Sequence, residues 1–238
     1  TAEAILSAFI TMTEKRNDSV VRRCSWTRIR SIEQRESRNT MKYITGIQSY
    51  SGQKKTAVTL GKFDGLHRGH QKLIEKIRSY ASDECESVVC AFDMHRDSLM
   101  TNRERREHLE NRVDWLIDQP FTKDLREMEA ETFIDDVLCK TLHAAHIVVG
   151  TDFTFGYAKR GDAQMLLDYA EQYGYTVDVI EKERYLGTVI SSTYIKDALA
   201  QGDVKLAECL LGYPYEITGT VQHGKQLGRT LGFPTMNI

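Results

Sequence analysis

Proline is scarce in this chain, three residues in 238, while 41% of the residues are apolar, a balance that excludes a disordered polypeptide. Cysteine is sparse and unpatterned. The five residues Cys24, Cys85, Cys90, Cys139 and Cys209 contain no CxxC spacing, which argues against a disulfide framework or a structural zinc site and fits a reducing cytoplasm. No run approaches the roughly 18 consecutive apolar residues of a membrane span. The apolar stretch Ala4 to Ile10 precedes Lys15 and Arg16, the reverse of a secretory signal. Charge of one sign is also missing. Lys plus Arg number 32 against 34 Asp plus Glu, a net of −2, so nothing electrostatic points to nucleic acid as a partner. A small phosphorylated ligand remains open. There is no internal repeat and no low-complexity tract.

The length suits one large domain or one domain plus part of another. Residues 1–40 carry a net charge of +3, against −5 for the rest, and lack sustained periodicity after Ile10. They read as an arm outside the fold; their five acidic residues do not suit an organelle transit peptide. Met41 opens the regular patterning, and with Thr1 ahead of it the chain reads as a fragment or a processed product.

From Met41 onward, short β-rich runs alternate with helical ones. Thr56 to Gly61 is a strand, and His70 to Ser82 repeats Leu73, Ile74, Ile77, Tyr80 and Ala81 along one helical face. Ser87 to Phe92 is a second strand, and Thr101 with Glu104 makes a capping box for a helix through about Asn111. Val113 to Ile117 fits helix or strand equally. Glu131 to Leu142 reads as helix, Ile147 to Val149 as strand, Ala163 to Tyr173 as helix, Thr176 to Ile180 as strand, with short helices at Tyr194 to Ala200 and Val204 to Leu211. This alternation implies an α/β fold, a doubly wound parallel sheet. Ligands of such sheets bind beyond the carboxyl ends of the strands, which singles out the loops after Gly61, Phe92 and Gly150.

The first of these reads Gly61-Lys-Phe-Asp-Gly-Leu-His-Arg-Gly-His70. Its glycines permit tight turns and close approach, and His67 and His70 stand three apart where a helix begins, an arrangement suited to phosphate. The residues also allow a surface turn or a metal pair, although a metal would want a third ligand. No Gly-Lys-Ser/Thr follows, so the loop is not a Walker loop. Late in the chain, Ile190-Ser-Ser-Thr-Tyr-Ile-Lys196 sets three hydroxyls before a helix, alone no more than an N-cap.

Together, His-x-Gly-His and Ile-Ser-Ser-Thr resemble the HxGH nucleotidyltransferase superfamily, of Rossmann-like fold. With Val148 to Asp162 (VVGTDFTFGYAKRGD) and the stretch from Ile190 to Ile238, the chain from Met41 on resembles the bacterial bifunctional riboflavin kinase/FAD synthetases. The resemblance implies transfer of AMP from ATP to FMN with Mg2+, giving FAD and pyrophosphate. It makes Gly61, Phe63, Asp64, Gly65, His67, Gly69 and His70 the ATP loop, with both histidines on phosphate, and brings Ser191, Ser192, Thr193 and Lys196 over its other side. Lys196 stands where arginine is common, so a cation survives without a bidentate fork. Gly150, Asp152, Phe153 and Phe155 match the family's VVGxDFxFG loop, associated with its flavin and adenine pockets, and the resemblance adds Phe92 and His95 to the flavin-binding residues. Phe155 also fits a plain core position.

One departure is visible. The family's FxPHP loop is Phe92-Asp-Met-His-Arg96 here, with flexible Met94 and Arg96 in place of two rigid prolines, which implies normal ATP binding and weakened or altered FMN affinity. The segment from about Tyr215 resembles the start of the riboflavin kinase β-barrel, where Thr235 and Asn237 would meet magnesium, and the sequence ends soon after. The expected organisation is therefore an arm at 1–40, an FMN adenylyltransferase domain at 41–214 and an incomplete kinase start at 215–238, with no riboflavin kinase activity. Another HxGH nucleotidyltransferase is disfavoured by the kinase-like tail, and a non-catalytic flavin or nucleotide binder by the intact histidines and hydroxyls. The expected partners are ATP and FMN, without nucleic acid or membrane; oligomeric state is not legible.

Overall fold

The computed structural model describes residues 40–93 and 97–220. The arm at residues 1–39, Met94, His95 and Arg96, and the tail with Thr235 and Asn237 lie outside the described residues, as does most of the expected barrel start. The described chain divides at Ser191/Ser192 into two compact units.

The larger unit runs β1 (Lys42–Thr45), β2 (Lys55–Gly61), α1 (Arg68–Tyr80), β3 (Cys85–Asp93), α2 (Asn102–Leu109), β4 (Trp115–Pro120) and α3 (Lys123–Glu127). Helix α4 follows (Ala130–Thr132, continuing through Phe133–Thr141), then β5 (Ala144–Gly150), β6 (Thr154–Phe155), β7 (Gly161–Asp162), α5 (Ala163–Tyr173), β8 (Thr176–Ile180), β9 (Arg184–Tyr185) and β10 (Thr188–Val189). Six strands form one sheet in the order β1-β4-β3-β2-β5-β8, parallel throughout. The doubly wound sheet expected from the alternating pattern is present, and Val113 to Ile117 resolves largely into strand β4. Strand β1, four residues long, and the hairpins β6–β7 and β9–β10 carry too little pattern to be anticipated.

The inner strands β2, β3 and β4 are buried on both faces, as parallel strands between helices must be. Val58, Leu60, Val88, Cys90, Ile147 and Val149 pack on one side with Phe133, Ile134, Leu138 and Leu166. Their alternate neighbours Ala57, Val89, Ala91 and Val148 pack on the other with Ile74, Ile77 and Leu109. Local chemistry sets the helix ends. The Thr101 hydroxyl accepts from the Glu104 amide while the Glu104 carboxylate accepts from the Thr101 amide, the reciprocal cap read from the sequence. Asp162 caps α5, and Gly174, at φ 71°, ends it. The second half of α4 is wound wider than an α-helix; the Leu142 amide donates to the Val137 carbonyl at 2.9 Å.

The smaller unit contains α6 (Ser192–Ala200) and α7 (Val204–Leu211). They pack on each other through a turn in which Asp203 caps α7.

Candidate functional site

From β2 the chain crosses to β3 on one side, whereas from β5 it crosses to β8 on the other, and β2 and β5 are neighbours. Their carboxyl ends therefore flank the switch point of the sheet, where doubly wound folds bind ligands. The two loops leaving that point begin at Gly61 and Gly150.

After Gly61 the backbone is forced into a tight knot. Phe63 (φ 48°), Gly65 (φ 79°) and Leu66 (φ 39°) lie in the left-handed region, costly for the two that are not glycine. Burial offsets the cost: the Phe63 and Leu66 side chains are sealed into the core beside Ile74 and Ile77. Phe63 thus anchors the loop from below and presents no surface to a ligand. Asp64 ties the loop to the next one, its Oδ1 accepting from the Leu99 amide at 2.6 Å.

His67 then caps α1, its Nδ1 accepting from the His70 amide at 3.4 Å. The two imidazoles stack with centroids 3.7 Å apart at 17°, and the His70 ring leans on Phe63 at 5.1 Å. Gly69 makes room for this, since a Cβ there would stand 3.2 Å from the His67 ring. Part of His70 is exposed, yet its Nδ1 is buried without a partner. Burial lowers the His67 pKa to about 4, with Asp64 opposing weakly. Burial, then the neighbouring His67 and Arg105, push His70 well below its ordinary value. Both rings are neutral at pH 7 and offer N–H donors at the head of a helix whose amide dipoles favour an anion.

The His67 environment has a consequence for stability. Its folded pKa lies below the unfolded value of 6.5, so as pH falls the unfolded chain takes up a proton that the folded one refuses. Stability is expected to fall between pH 6.5 and about 4, with about 3 kcal/mol from this residue at the lower end. Urea unfolding across that window tests it. His67→Asn keeps a capping acceptor and should flatten this component of the slope; an identical slope in wild type and variant contradicts the burial.

The loop after Gly150 turns at once, the Phe153 amide donating to the Gly150 carbonyl at 3.1 Å. Phe153 is half-buried and stacks on Phe155 at 5.6 Å and 22°. Phe155 is itself core, packed on Phe133 at 5.4 Å. Gly156 follows at φ 72°, and a Cβ there would lie 2.7 Å from the Ala130 backbone, so only glycine fits where this loop crosses α4. Asp152 is exposed and pairs with Lys182 at 2.7 Å, linking the loops after β5 and β8. Phe92, near the end of β3, is half-buried and meets Phe121 edge-on at 6.3 Å.

The structure thus brings the Gly61–His70 and Gly150–Gly156 segments to one end of one sheet. Ser191 ends the larger unit; Ser192, Thr193 and Lys196 lie on the first turns of α6 in the smaller one. Charged residues that sequence reasoning missed also stand near the histidines. Arg68 and Lys72, both on α1, pair with Glu183, and Arg105 forms a buried pair with Asp118. The spacing of Arg68 and Lys72, one helical turn, was available as a signal of a shared face. Nothing in sequence marks Glu183 as their partner.

Two family models match this chain. The family model described as FAD synthetase matches residues 49–194, and that described as riboflavin kinase matches residues 211–238. The bifunctional riboflavin kinase/FMN adenylyltransferase of Escherichia coli K12 is 35% identical over 212 residues, covering 83% of this chain and 68% of the relative. That of Haemophilus influenzae is 38% identical over 194 residues, covering 76% and 63%. A crystal structure described as a macrolide-efflux protein from Streptococcus pneumoniae superposes with a TM-score of 0.72 at 30% identity, covering 83% of this chain and 68% of that one. Among the described residues no helix is long and apolar enough to cross a membrane.

Proposed function

The chain belongs to the FAD synthetase family, and with that as premise we propose how its residues transfer the adenylyl group of ATP to FMN, giving FAD and pyrophosphate. The observation that carries the mechanism is the stacked pair His67 and His70 at the head of α1, at the switch point of the sheet. A phosphate oxygen of FMN attacks the α-phosphorus of ATP in line. The α–β bridging oxygen leaves with its electron pair on pyrophosphate, and no protein nucleophile takes part. His67, His70 and the first amides of α1 donate to the oxygens on which charge builds. Gly61, Asp64, Gly65 and Gly69 shape that loop, while Ser191, Ser192, Thr193 and Lys196 bind phosphate from the segment that follows β10. The Phe153 ring suits the isoalloxazine face, with Gly150, Asp152 and Phe92 at the same end of the sheet and Phe155 supporting from the core.

Among the described residues no three His, Cys, Asp or Glu side chains gather as a metal cage. In this proposal magnesium arrives with ATP, held chiefly by the phosphates, as this ion usually is at nucleotide sites. The four described cysteines are free thiols, which supports a cytoplasmic setting. The domain limits we propose remain 41–214 for the transferase and 215–238 for the start of a kinase module. Incubating the chain with FMN and ATP should yield FAD, detected by chromatography; FMN recovered unchanged contradicts the proposal.

Met94 and Arg96 enter through sequence alone. Prolines at these positions would restrict the unbound loop, so Met94→Pro combined with Arg96→Pro is expected to tighten FMN binding about tenfold. Calorimetric titration giving unchanged affinity removes the two missing prolines from the account.

A further inference from the structure

The head of α1 already carries an anion of its own. Glu183, three residues beyond β8, pairs with Arg68 at 2.7 Å and with Lys72, and its side chain is only 17% exposed. The hydrogen bond from Lys72 and the two positive charges hold its carboxyl below the usual range, against the opposing effect of burial. A Cβ on Gly69 would stand 4.0 Å from the Cβ of Glu183, which sets the residue against the turn whose amides open the helix. Its backbone is fixed as well, the carbonyl accepting from the Ile190 amide at 2.9 Å across the β9–β10 hairpin. Arg68 lies inside the His-x-Gly-His motif and Lys72 one turn on. The next cation along that face, Lys76, goes instead to Asp178 at 3.2 Å.

Two free cations beside two neutral imidazole donors would make this an avid polyphosphate trap. With Glu183 in place the trio carries a single net positive charge. We propose that Glu183 sets the phosphate affinity of the nucleotide site, a resident carboxylate that tempers the hold of Arg68 and Lys72 on phosphate so that pyrophosphate can leave. The inference rests on the reading of the His67 and His70 loop as the phosphate site. It assigns Arg68 and Lys72 to the triphosphate of ATP and Glu183 to the release of pyrophosphate.

The test is calorimetric binding of pyrophosphate to the full chain, without FMN. Glu183→Gln is expected to bind about fivefold more tightly at low salt, the effect of one unit charge at short range in a wet site, with the gain shrinking as salt rises. Lys72→Gln should bind about fivefold more weakly, and Glu183→Gln with Lys72→Gln should return close to wild type. A merely structural clip would loosen the loop in both single variants and weaken both. Unchanged or weaker binding by Glu183→Gln overturns the proposal. If that variant does not fold, the double variant is compared with Lys72→Gln, where failure to bind more tightly overturns it equally. A wild type that binds pyrophosphate but makes no FAD contradicts the transferase reading and leaves this test intact. A wild type that binds no pyrophosphate overturns the inference itself.

Discussion

Replacing His70 by alanine is expected to lower the rate of adenylyl transfer by about 10²–10³, the usual cost of removing one donor from developing transition-state charge. In the fold itself the ring packs on His67 and Phe63. Its Nδ1 has no protein partner, so no internal hydrogen bond is lost with it. It stacks on His67, whose Nδ1 accepts from the His70 backbone amide, a bond that alanine retains. The loop knot depends on buried Phe63 and Leu66 rather than on the imidazole. The loss should therefore fall on kcat, with a small change in KM for ATP and a melting temperature within a few degrees of wild type. A variant that turns over at the wild-type rate removes His70 from the mechanism. One that unfolds shows instead that the stack holds the loop together.

The largest expected effect on stability comes from the pair behind the site. Arg105 of α2 donates to Asp118 of β4 at 2.9 Å, both side chains at most 4% exposed. Tyr43 donates to the other carboxylate oxygen at 2.9 Å. Neighbouring Asn102 binds Asp93, the last residue of β3, at 2.9 Å. Arg105→Met strands a buried carboxylate with Tyr43 as its remaining side-chain partner, and breaking such a pair from one side costs about 3–5 kcal/mol. At about 2–4 °C per kcal/mol for a domain of this size, melting should fall by about 6–20 °C. Removing both charges is a different experiment. Arg105→Met with Asp118→Val leaves no unpaired ion and is expected to recover most of the loss, because burying two charges costs nearly what their attraction returns. Thermal unfolding of both variants decides it. A single variant within 1 °C of wild type means that water reaches the pair.

These two predictions differ in how far the sequence foretold them. The histidines were legible because their chemistry is local: glycine spacing, a strand before and a helix after put both rings at one helix head. The layered fold was legible for the same reason. Thr176–Ile180 and Val204–Leu211 appear where runs of β-branched residues and helical periodicity placed them. Val113 to Ile117 stayed ambiguous because a strand buried on both faces has no alternation to distinguish it from a buried helix. The widened turns of α4 left no mark, since apolar spacing barely changes when one hydrogen bond slips from i−4 to i−5. Pairings set by topology were wholly hidden. Glu183 meets Arg68 across 115 positions, and Arg105 finds Asp118 only once α2 has packed on β4. The conformations of Phe63 and Gly156 were likewise out of reach, because a left-handed backbone under a buried side chain is a property of the assembled core.

The central claim is that this chain moves the adenylyl group of ATP onto FMN. Pyrophosphate release from ATP, measured with and without FMN, tests it most directly. The account predicts release that requires FMN and yields one FAD for each pyrophosphate. Release that ignores FMN, release driven by a different phosphorylated acceptor, or binding of both ligands without release would contradict it.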